Sequence, residues 1–331
     1  MTKDRPYVGV VSTGIYIPEH WHTAEYIAKE TGIPQDVIEQ KFGFYKKPVP
    51  GPDDHTAEMG VRAGRMAIER AGIDPGEIDL VIYIGEEYKE MHLWTAGIYS
   101  AHALGAENAW AFDCQLRCGT WSLGMKLAEA MAVSDDNINT IMLVGGYRNG
   151  DYIDYKNKRV SFMYDLGAAG AAMILKKNYG RNRVVGSSFV TDGSLSGVVG
   201  VKGGGTKAGL RNFDPSLYYL DVFDREFMNQ RLGEVSLPNF IKVIQDVCAM
   251  AGKETKDIGY LAMLHFKRSA HIALLDQLGV PQERCIYLEE YGHMGQMDQI
   301  ISIHLALERG LIKDGDLVVG ASAGVGWAWG A

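Results

Sequence analysis

Short runs of apolar, often β-branched residues alternate along the chain with longer stretches in which apolar residues recur every three or four positions. The short runs predict strands, and the longer stretches predict amphipathic helices. Five helices are predicted in this way, over residues 56–71, 118–132, 237–251, 269–278 and 295–309. The alternation indicates an α/β protein in which helices pack on mostly parallel sheets.

The same strand and helix pattern occurs twice. A strand-like run at residues 79–85 precedes Cys118 in the first copy, and a run at residues 259–265 precedes His293 in the second. Cys118 precedes Val144 of the next predicted strand by 26 positions, and His293 precedes Val319 by 26 positions as well. We therefore divide the chain into an N-terminal half, residues 1–180, and a C-terminal half, residues 181–331, and expect a thiol from one copy to meet an imidazole from the other at a pseudo-twofold axis.

One stretch departs from this pattern. Residues 180–235 are rich in glycine and tyrosine and predict turns and loops, which either cap a site or simply connect the elements around them.

Composition narrows the class of protein. With 331 residues and 47% hydrophobic content, the chain can bury a large core. Its net charge of -8 argues against nucleic acid and acidic membrane surfaces as partners. No apolar run is long enough to span a bilayer, and the first residues lack the apolar region of a signal peptide, so we expect a cytoplasmic protein. Its 4 cysteines are too sparse for a disulfide scaffold and should be free thiols.

Cys118 is the candidate nucleophile. It follows the predicted strand at residues 109–113 and precedes a predicted helix, whose N-terminus should favour a thiolate and lower the thiol pKa. The alternative is a small buried core cysteine, which is our interpretation of Cys114. His265 ends a predicted strand, and His293 lies in a glycine-flanked turn that opens a helix. The other histidines form no ligand spacing, so no metal is expected.

A second motif, residues 320–324 (GASAG), matches the G-x-S-x-G turn of serine hydrolases. Only seven residues follow it, too few for the helix and for the acid and histidine that such enzymes place after the serine. The glycine-rich terminus is better explained as close backbone approach to a substrate, with an N–H donor for an oxyanion.

Several segments together resemble the thiolase superfamily. They are residues 111–113 (AFD) with Cys118 five positions beyond, 49–53 (VPGPD) followed by 56–57 (TA), 71–75 (AGIDP), and 329–331 (WGA). The similarity extends over nearly the whole chain, in particular to ketoacyl synthase III and, in the first half, to hydroxymethylglutaryl-CoA synthase of the archaeal type.

The resemblance implies a fold and a reaction. The fold is two βαβαβαββ halves in a five-layer αβαβα arrangement, usually as a homodimer and possibly with a further subunit. Cys118 would take an acyl group from an acyl-CoA or acyl-carrier-protein thioester, without a permanently bound cofactor, and a malonyl or acyl thioester would then attack in a Claisen condensation. His265 matches the first catalytic histidine, and the N–H of Gly324 joins that of Cys118 in the oxyanion hole.

Three positions depart from the family pattern. His293 stands where ketoacyl synthase III usually has asparagine, so decarboxylation of a malonyl donor and proton removal from an unactivated donor both stay open. Glu87, with Glu86 beside it, falls near the general acid/base glutamate of hydroxymethylglutaryl-CoA synthase, although a surface carboxylate is equally compatible. Arg268 replaces an asparagine that contacts pantetheine, and Lys267 or Arg268 could bind a phosphate of coenzyme A instead.

Three other functions stay open at this stage. They are an aldol condensation like that of hydroxymethylglutaryl-CoA synthase using Glu87, a non-catalytic subunit that shapes a partner's site, and a thioester hydrolase. Aromatic residues could line a substrate pocket or belong to the core: Trp94, Trp121, Tyr147, Tyr152, Phe162 and Tyr164.

Overall fold

The computed structural model describes residues 6–209 and 214–331 of the chain. The helices of the described residues are α1 (Ala24–Thr31), α2 (Gln35–Val37), α3 (Thr56–Ala71), α4 (Ala96–Leu104), α5 (Thr120–Ser134), α6 (Arg225–Met250), α7 (Arg268–Leu278) and α8 (Asp298–Glu308). The strands are β1 (Val8–Tyr16), β2 (His20–Thr23), β3 (Lys46–Val49), β4 (Leu80–Tyr83), β5 (Trp110–Asp113), β6 (Thr140–Tyr147), β7 (Ala169–Lys177), β8 (Phe189–Thr191), β9 (Val199–Val201), β10 (Leu220–Val222), β11 (Ile258–Met263), β12 (Leu317–Gly324) and β13 (Ala328–Gly330).

A five-stranded sheet is formed by strands from the first half of the chain, in the order β1-β7-β6-β4-β5. The pairs β4–β5 and β4–β6 are parallel, whereas β1–β7 and β6–β7 are antiparallel. Every residue of β4 and β6 is buried, as expected for strands covered by helices on both faces. The carboxyl ends of the parallel strands β4 and β5 lead directly to residues 84–87 and 114–118.

The second sheet has four strands from the latter part of the chain, in the order β11-β12-β13-β8. Its parallel pair is β11–β12, which matches the pair β4–β6 of the first sheet. The segment 285–288, where a complete βαβαβαββ half would have a third strand, has no strand assignment. The N–H of Ile286 instead donates to the hydroxyl of Tyr260, so a side chain replaces a ladder partner at this point.

Helices and sheets alternate in five layers, which confirms the predicted fold class. Helices α3 and α4 cover the outer face of the five-stranded sheet, where their alanine and valine side chains pack on β4 and β6. Helices α5 and α8 lie between the sheets, α6 covers the outer face of the four-stranded sheet, and α7 packs against α6. The strands of the two sheets lie on either side of residue 180, and the division into folding units at that residue stays a prediction.

Most predicted elements have close counterparts. The helix predicted at residues 56–71 has those bounds, and the other four predictions overlap α5, α6, α7 and α8. Helix α6 begins twelve residues before its predicted start, because the side chain of Asp224 accepts from the N–H of Phe227 and caps a helix that continues through Pro238. The predicted loop tract therefore contains β8, β9, β10 and the first turns of α6, and its residues 210–213 lie outside the described part of the chain.

Two negative findings apply to the described residues. In the ranges 6–209 and 214–331, no helix is both long and apolar enough to cross a membrane. Within the same ranges, no group of three or more histidine, cysteine, aspartate or glutamate side chains has the arrangement of a metal site.

Candidate active site

Cys118 lies in a tight turn between strand β5 and helix α5. Arg117 has a left-handed φ of 53°, which is uncommon for a residue with a side chain. The hydroxyl of Thr120 accepts from the N–H of Leu116 and donates to the carbonyl of Arg117, so it closes the turn. Cys118 is 6% exposed and directly precedes Gly119, the residue that caps α5. The predicted position at a helix N-terminus is therefore close to the observed one.

His293 is the direct partner of this thiol. Its Nε2 lies 3.2 Å from Sγ of Cys118, and its Nδ1 lies 2.6 Å from Oδ2 of Asp298. The backbone of His293 is held on both sides, because its N–H donates to Asp165 O and its carbonyl accepts from Gly167 N. The two halves of the chain thus bring the predicted thiol and imidazole into contact.

Asp298 is a site residue that the sequence analysis missed. It is fully buried at the first position of α8, and its carboxylate accepts from His293 Nδ1 and from the N–H groups of His265 and Met294, the last two at 2.7 Å. An acidic residue at a helix start, five positions after a candidate histidine, was the available signal. The resulting order, Asp298–His293–Cys118, is that of a carboxylate orienting a base for a nucleophile.

Asp298 favours a protonated ring of His293 and thus transfer of the Cys118 proton to that ring. Burial raises the pKa of the Cys118 thiol and His293 opposes that effect, so the expectation of a lowered thiol pKa at the helix N-terminus is wrong. Burial alone would lower the pKa of His293, but the carboxylate of Asp298 and then Cys118 outweigh it and hold that pKa well above its ordinary value. The basic ring of His293 therefore offsets part of the effect of burial on the Cys118 thiol.

His265 lies in the same network but has different ring partners. Its Nδ1 is 2.8 Å from Asp165 Oδ2 and its Nε2 is 3.1 Å from the carbonyl oxygen of Gly43. Both partners are acceptors, so both ring nitrogens are placed to donate. The link of His265 to the Cys118–His293 pair runs through its backbone N–H and Asp298, and its predicted catalytic role stays a prediction.

The two neighbouring glutamates have opposite environments. The carboxylate of Glu87 is 57% exposed, pairs with Arg117 and accepts from Gln115, and Arg117 is the main influence that lowers its pKa against the effect of burial. Glu86 is buried, and one of its oxygens accepts from Asn149 Nδ2 at 2.7 Å, whereas its Oε1 has no partner among the described residues. Burial raises the pKa of Glu86 to about 7.

Glu86 is also electrostatically coupled to both members of the reactive pair. The carboxylate contributes to raising the pKa of Cys118, and the His293 ring in turn contributes to lowering the pKa of Glu86. Glu86 is thus buried and coupled to the reactive pair, whereas the predicted Glu87 is exposed. A shift of one position along the chain separates the two, and the sequence contains no signal that distinguishes them.

Gly324 approaches the turn that carries Cys118. A Cβ atom at this position would lie 2.4 Å from the carbonyl oxygen of Leu116 and 3.2 Å from the backbone nitrogen of Cys118. Only glycine allows this approach, which brings the end of β12 next to the N–H of the nucleophile. The position is compatible with the predicted oxyanion hole, a role that stays a prediction.

The residues predicted to bind coenzyme A have surface partners, whereas one predicted pocket residue lies beside His293. Arg268 pairs with Glu289 at 2.6 Å and stacks on the ring of Tyr287, while Lys267 is an exposed residue at the start of α7. Of the predicted aromatic residues, Tyr147 is buried with its ring centroid 6.1 Å from that of His293. Binding of coenzyme A by Lys267 or Arg268 stays a prediction.

A cavity of about 320 Å³ lies against the turn before Cys118. It is bounded by Leu116 and Arg117 on one side and by Val325, Gly326 and Trp327 on the other. It therefore lies next to the contact between Gly324 and the nucleophile turn.

Comparison with known proteins places this site in a family. Residues 112–193 match the family model described as 3-Oxoacyl-[acyl-carrier-protein (ACP)] synthase III, and residues 248–331 match the model of its C-terminal part. A beta-ketoacyl-[acyl-carrier-protein] synthase III from Symbiobacterium thermophilum is 26% identical over 99% of this chain and 98% of its own length.

Solved structures show the same fold. The priming beta-ketosynthase of the R1128 polyketide pathway has a TM-score of 0.88 at 21% identity, covering 100% of this chain and 96% of its own. OleA from Xanthomonas campestris with bound lauric acid and lauroyl-CoA has a TM-score of 0.82 at 17% identity, covering 98% of this chain and 97% of its own. Together with the two family models, which cover the segments carrying Cys118 and His293, these findings show that the chain belongs to the ketoacyl synthase III-like condensing enzymes of the thiolase superfamily.

Proposed function

We propose that this protein is an acyltransferase in which Cys118 takes an acyl group from a thioester and a second thioester then attacks it in a Claisen condensation. The observation that carries the proposal is the contact chain Asp298–His293–Cys118, with a 3.2 Å approach of the ring to the sulfur. The family supports the reaction class, since the similar proteins are beta-ketoacyl synthases.

The first half-reaction forms an acyl-enzyme. His293 Nε2 takes the proton of the Cys118 thiol, and the sulfur attacks the thioester carbonyl carbon. The N–H groups of Cys118 and Gly324 are placed to hold the resulting oxyanion. When the tetrahedral intermediate collapses, the carbon–sulfur bond of the donor thioester breaks, and the leaving thiolate takes the proton from His293.

The second half-reaction forms a carbon–carbon bond. A malonyl thioester loses carbon dioxide, or an acyl thioester loses an α-proton, to give an enolate whose oxygen needs a hydrogen-bond donor. The α-carbon attacks the carbonyl carbon of acyl-Cys118, and the sulfur of Cys118 leaves with the electrons of the broken bond. The products are a β-ketoacyl thioester and the free nucleophile, which His293 keeps ready for the next cycle.

Glu86 is the carboxyl group that we assign to proton transfer, in the role that the sequence predicted for Glu87. Its burial, its unpartnered Oε1 and its raised pKa of about 7 support the assignment, because an acid/base group transfers protons best when its pKa lies near the working pH. This assignment favours proton removal from an acyl donor as the second route to the enolate, alongside decarboxylation.

Coenzyme A thioesters and acyl-carrier-protein thioesters are both proposed as substrates. The carrier appears in the names of the similar synthases, and lauroyl-CoA is bound in the OleA structure. We also propose a cytoplasmic location and keep the prediction that no cofactor is permanently bound.

We further propose that the active protein is a homodimer, formed through a surface that we call the β5 surface: Met91, Leu93, Ile98 and Trp110. Trp110 is 51% exposed on β5, the last strand of its sheet, and Leu93 is fully exposed in the segment before α4. An unpaired sheet edge with exposed apolar side chains is typical of a surface that a second copy covers.

Intact-mass spectrometry after incubation with a panel of acyl-CoAs tests the proposal. The wild-type protein and Cys114→Ala should gain the mass of one acyl group, and Cys118→Ala should gain none. Retained acylation of Cys118→Ala would contradict the assignment of the nucleophile. A wild-type chain that never takes up an acyl group would support a non-catalytic subunit, and release of free acid and free coenzyme A without a second substrate would support a hydrolase.

The route to the enolate needs a separate measurement. Carboxyl-labelled malonyl-CoA releases labelled carbon dioxide only on the decarboxylative route. Exchange of the α-hydrogens of an acyl-CoA with deuterium oxide reports proton removal instead. If Glu86 performs that step, Glu86→Gln should lose the exchange and Glu87→Gln should retain it.

A further inference from the structure

A second cavity, of about 390 Å³, is separate from the one next to the Cys118 turn. It is lined by residues of the paired strands β2 and β3, by several residues between 148 and 155, by residues 166–167 and by Tyr219. Neither Cys118 nor His293 belongs to its wall. Its volume is in the range of small-molecule binding sites, and the condensation reaction proposed above does not use it.

The unusual group in this cavity is Lys47. The residue is 1% exposed, and its Nζ donates to the carbonyl oxygen of Leu166 at 2.7 Å. An ammonium group has three donor hydrogens, and this is its one acceptor among the described residues. No carboxylate of residues 6–209 or 214–331 lies within ion-pair distance of Nζ, although buried charges are usually paired.

Other polar groups of the wall have hydrogen-bond partners. Arg148 binds Asp151 at 2.8 Å and also donates to the carbonyl of Asp54. His22 Nδ1 lies 3.3 Å from the hydroxyl of Tyr155. Lys47 is therefore a fully buried cation of the wall that forms one hydrogen bond and, among the described residues, no ion pair within 4 Å.

Part of the wall is apolar. The cavity is lined beside Lys47 by aliphatic and aromatic side chains: Pro48, Val49, Pro50, Ile153, Tyr155 and Leu166. The combination suits a molecule with an apolar body and one anionic end.

We propose that this cavity binds a short-chain carboxylate whose anionic end pairs with Lys47 and whose hydrocarbon body packs on the apolar wall. The carboxylate would form a direct ion pair with the ammonium group and accept its two spare hydrogens. The inference does not depend on the proposed function, because the site lies outside the Cys118–His293 pair.

The charges around Lys47 give the site a pH dependence. Burial lowers the pKa of Lys47 to about 7, and Asp165 and Asp151 oppose that effect. Two other basic residues line the cavity. Burial lowers the pKa of His22 and Lys47 adds to that effect, while Arg148 is paired with Asp151. Since the carboxylate binds the charged amine, its affinity should fall about tenfold for each pH unit above 7.

The site also adjoins residues 165–167, which contact the backbone of His293. The carbonyl that accepts from Lys47 belongs to Leu166, whose neighbours Asp165 and Gly167 hold the backbone of His293.

Isothermal titration calorimetry with hexanoate tests the proposal on full-length protein whose Cys118 has been alkylated with iodoacetamide, which blocks the active site. Hexanoate should bind at about pH 6 and more weakly at about pH 8. Lys47→Met should reduce the affinity at least about tenfold, a loss typical of one charge-assisted hydrogen bond. Lys46→Met is the matched control and should bind hexanoate normally, because Lys46 directly precedes Lys47 in β3 and pairs with Glu290 at the surface.

Two further ligands keep the test independent of whether Lys47→Met folds. Hexanamide, which has the same body without the charge, should bind the wild-type protein much more weakly than hexanoate, and inorganic phosphate should not compete with hexanoate. Equal binding of hexanoate and hexanamide, competition by phosphate at the same concentration, or hexanoate binding that does not change between about pH 6 and pH 8 would each overturn the proposal.

Discussion

Replacing Asp298 with asparagine is the substitution that most directly tests how the site works. The change keeps the size of the side chain and removes its charge. The carboxylate of Asp298 is fully buried and accepts three hydrogen bonds, the shortest of them, 2.6 Å, from His293 Nδ1. An amide can present only one oxygen to these donors, so His293 loses its ionic partner.

The expected loss can be worked out from that contact. A hydrogen bond to a charged group contributes about 1.5–3 kcal/mol. If this stabilisation acts when His293 takes the thiol proton, its loss slows formation of the acyl-enzyme about 10- to 150-fold. Removal of Asp298 also lowers the pKa of His293, so the acid limb of the acylation rate should shift to lower pH.

Quenched single-turnover acylation, followed by intact-mass spectrometry across a range of pH, measures both effects. Asp314→Asn is the matched control, because Asp314 is 91% exposed and pairs with Arg181 at the surface. An acylation rate for Asp298→Asn within about twofold of wild type would refute the reasoning. A slower rate with an unchanged acid limb would refute the electrostatic part, since a purely structural defect lowers the rate without moving the limb.

Three further predictions follow from other contacts. Glu86→Gln should become more stable relative to wild type, by about 3 kcal/mol, as pH rises from about 4.5 to 7. The reason is that folded wild-type protein keeps the Glu86 proton to a higher pH than the unfolded chain does. Urea unfolding measures the difference, and no gain would contradict a buried carboxyl group. Gly324→Ala should slow acylation strongly, since its Cβ would meet the carbonyl of Leu116 at 2.4 Å, and wild-type rates would exclude the close approach. Leu93→Asp with Trp110→Lys should give monomers in sedimentation velocity, and an unchanged dimer would place the interface elsewhere.

The sequence predicted the reactive pair because duplication leaves a regular spacing. Equivalent turns of the two halves follow equivalent strands, so Cys118 and His293 could be expected to meet before any coordinates were known. The helix at residues 56–71 was equally accessible, since its apolar face is strongly periodic and Gly72 ends it with a left-handed φ of 64°.

The rest of the site depends on side-chain directions that spacing does not reveal. Glu86 and Glu87 follow the same strand, and whether one or the other points inward is decided by the path of the backbone after β4. Asp165 and Gly43, the ring partners of His265, are 100 and 222 positions away from it along the chain. These contacts form when the two halves of the chain pack together, so no local sequence pattern predicts them.

Asp298 explains how both histidines can matter when only one of them touches the sulfur. The same oxygen, Oδ2, accepts from His293 Nδ1 and from the backbone N–H of His265. The end of β11 therefore fixes the carboxylate that orients the base, and no substitution of the His265 side chain removes this backbone bond. His265→Ala isolates what the ring itself does, through Asp165 and the carbonyl of Gly43, from what the residue does through its N–H. If the ring only holds Asp165 in place, His265→Ala should leave acylation of Cys118 nearly intact; if it also binds the donor enolate, the same variant should form the acyl-enzyme and fail in condensation.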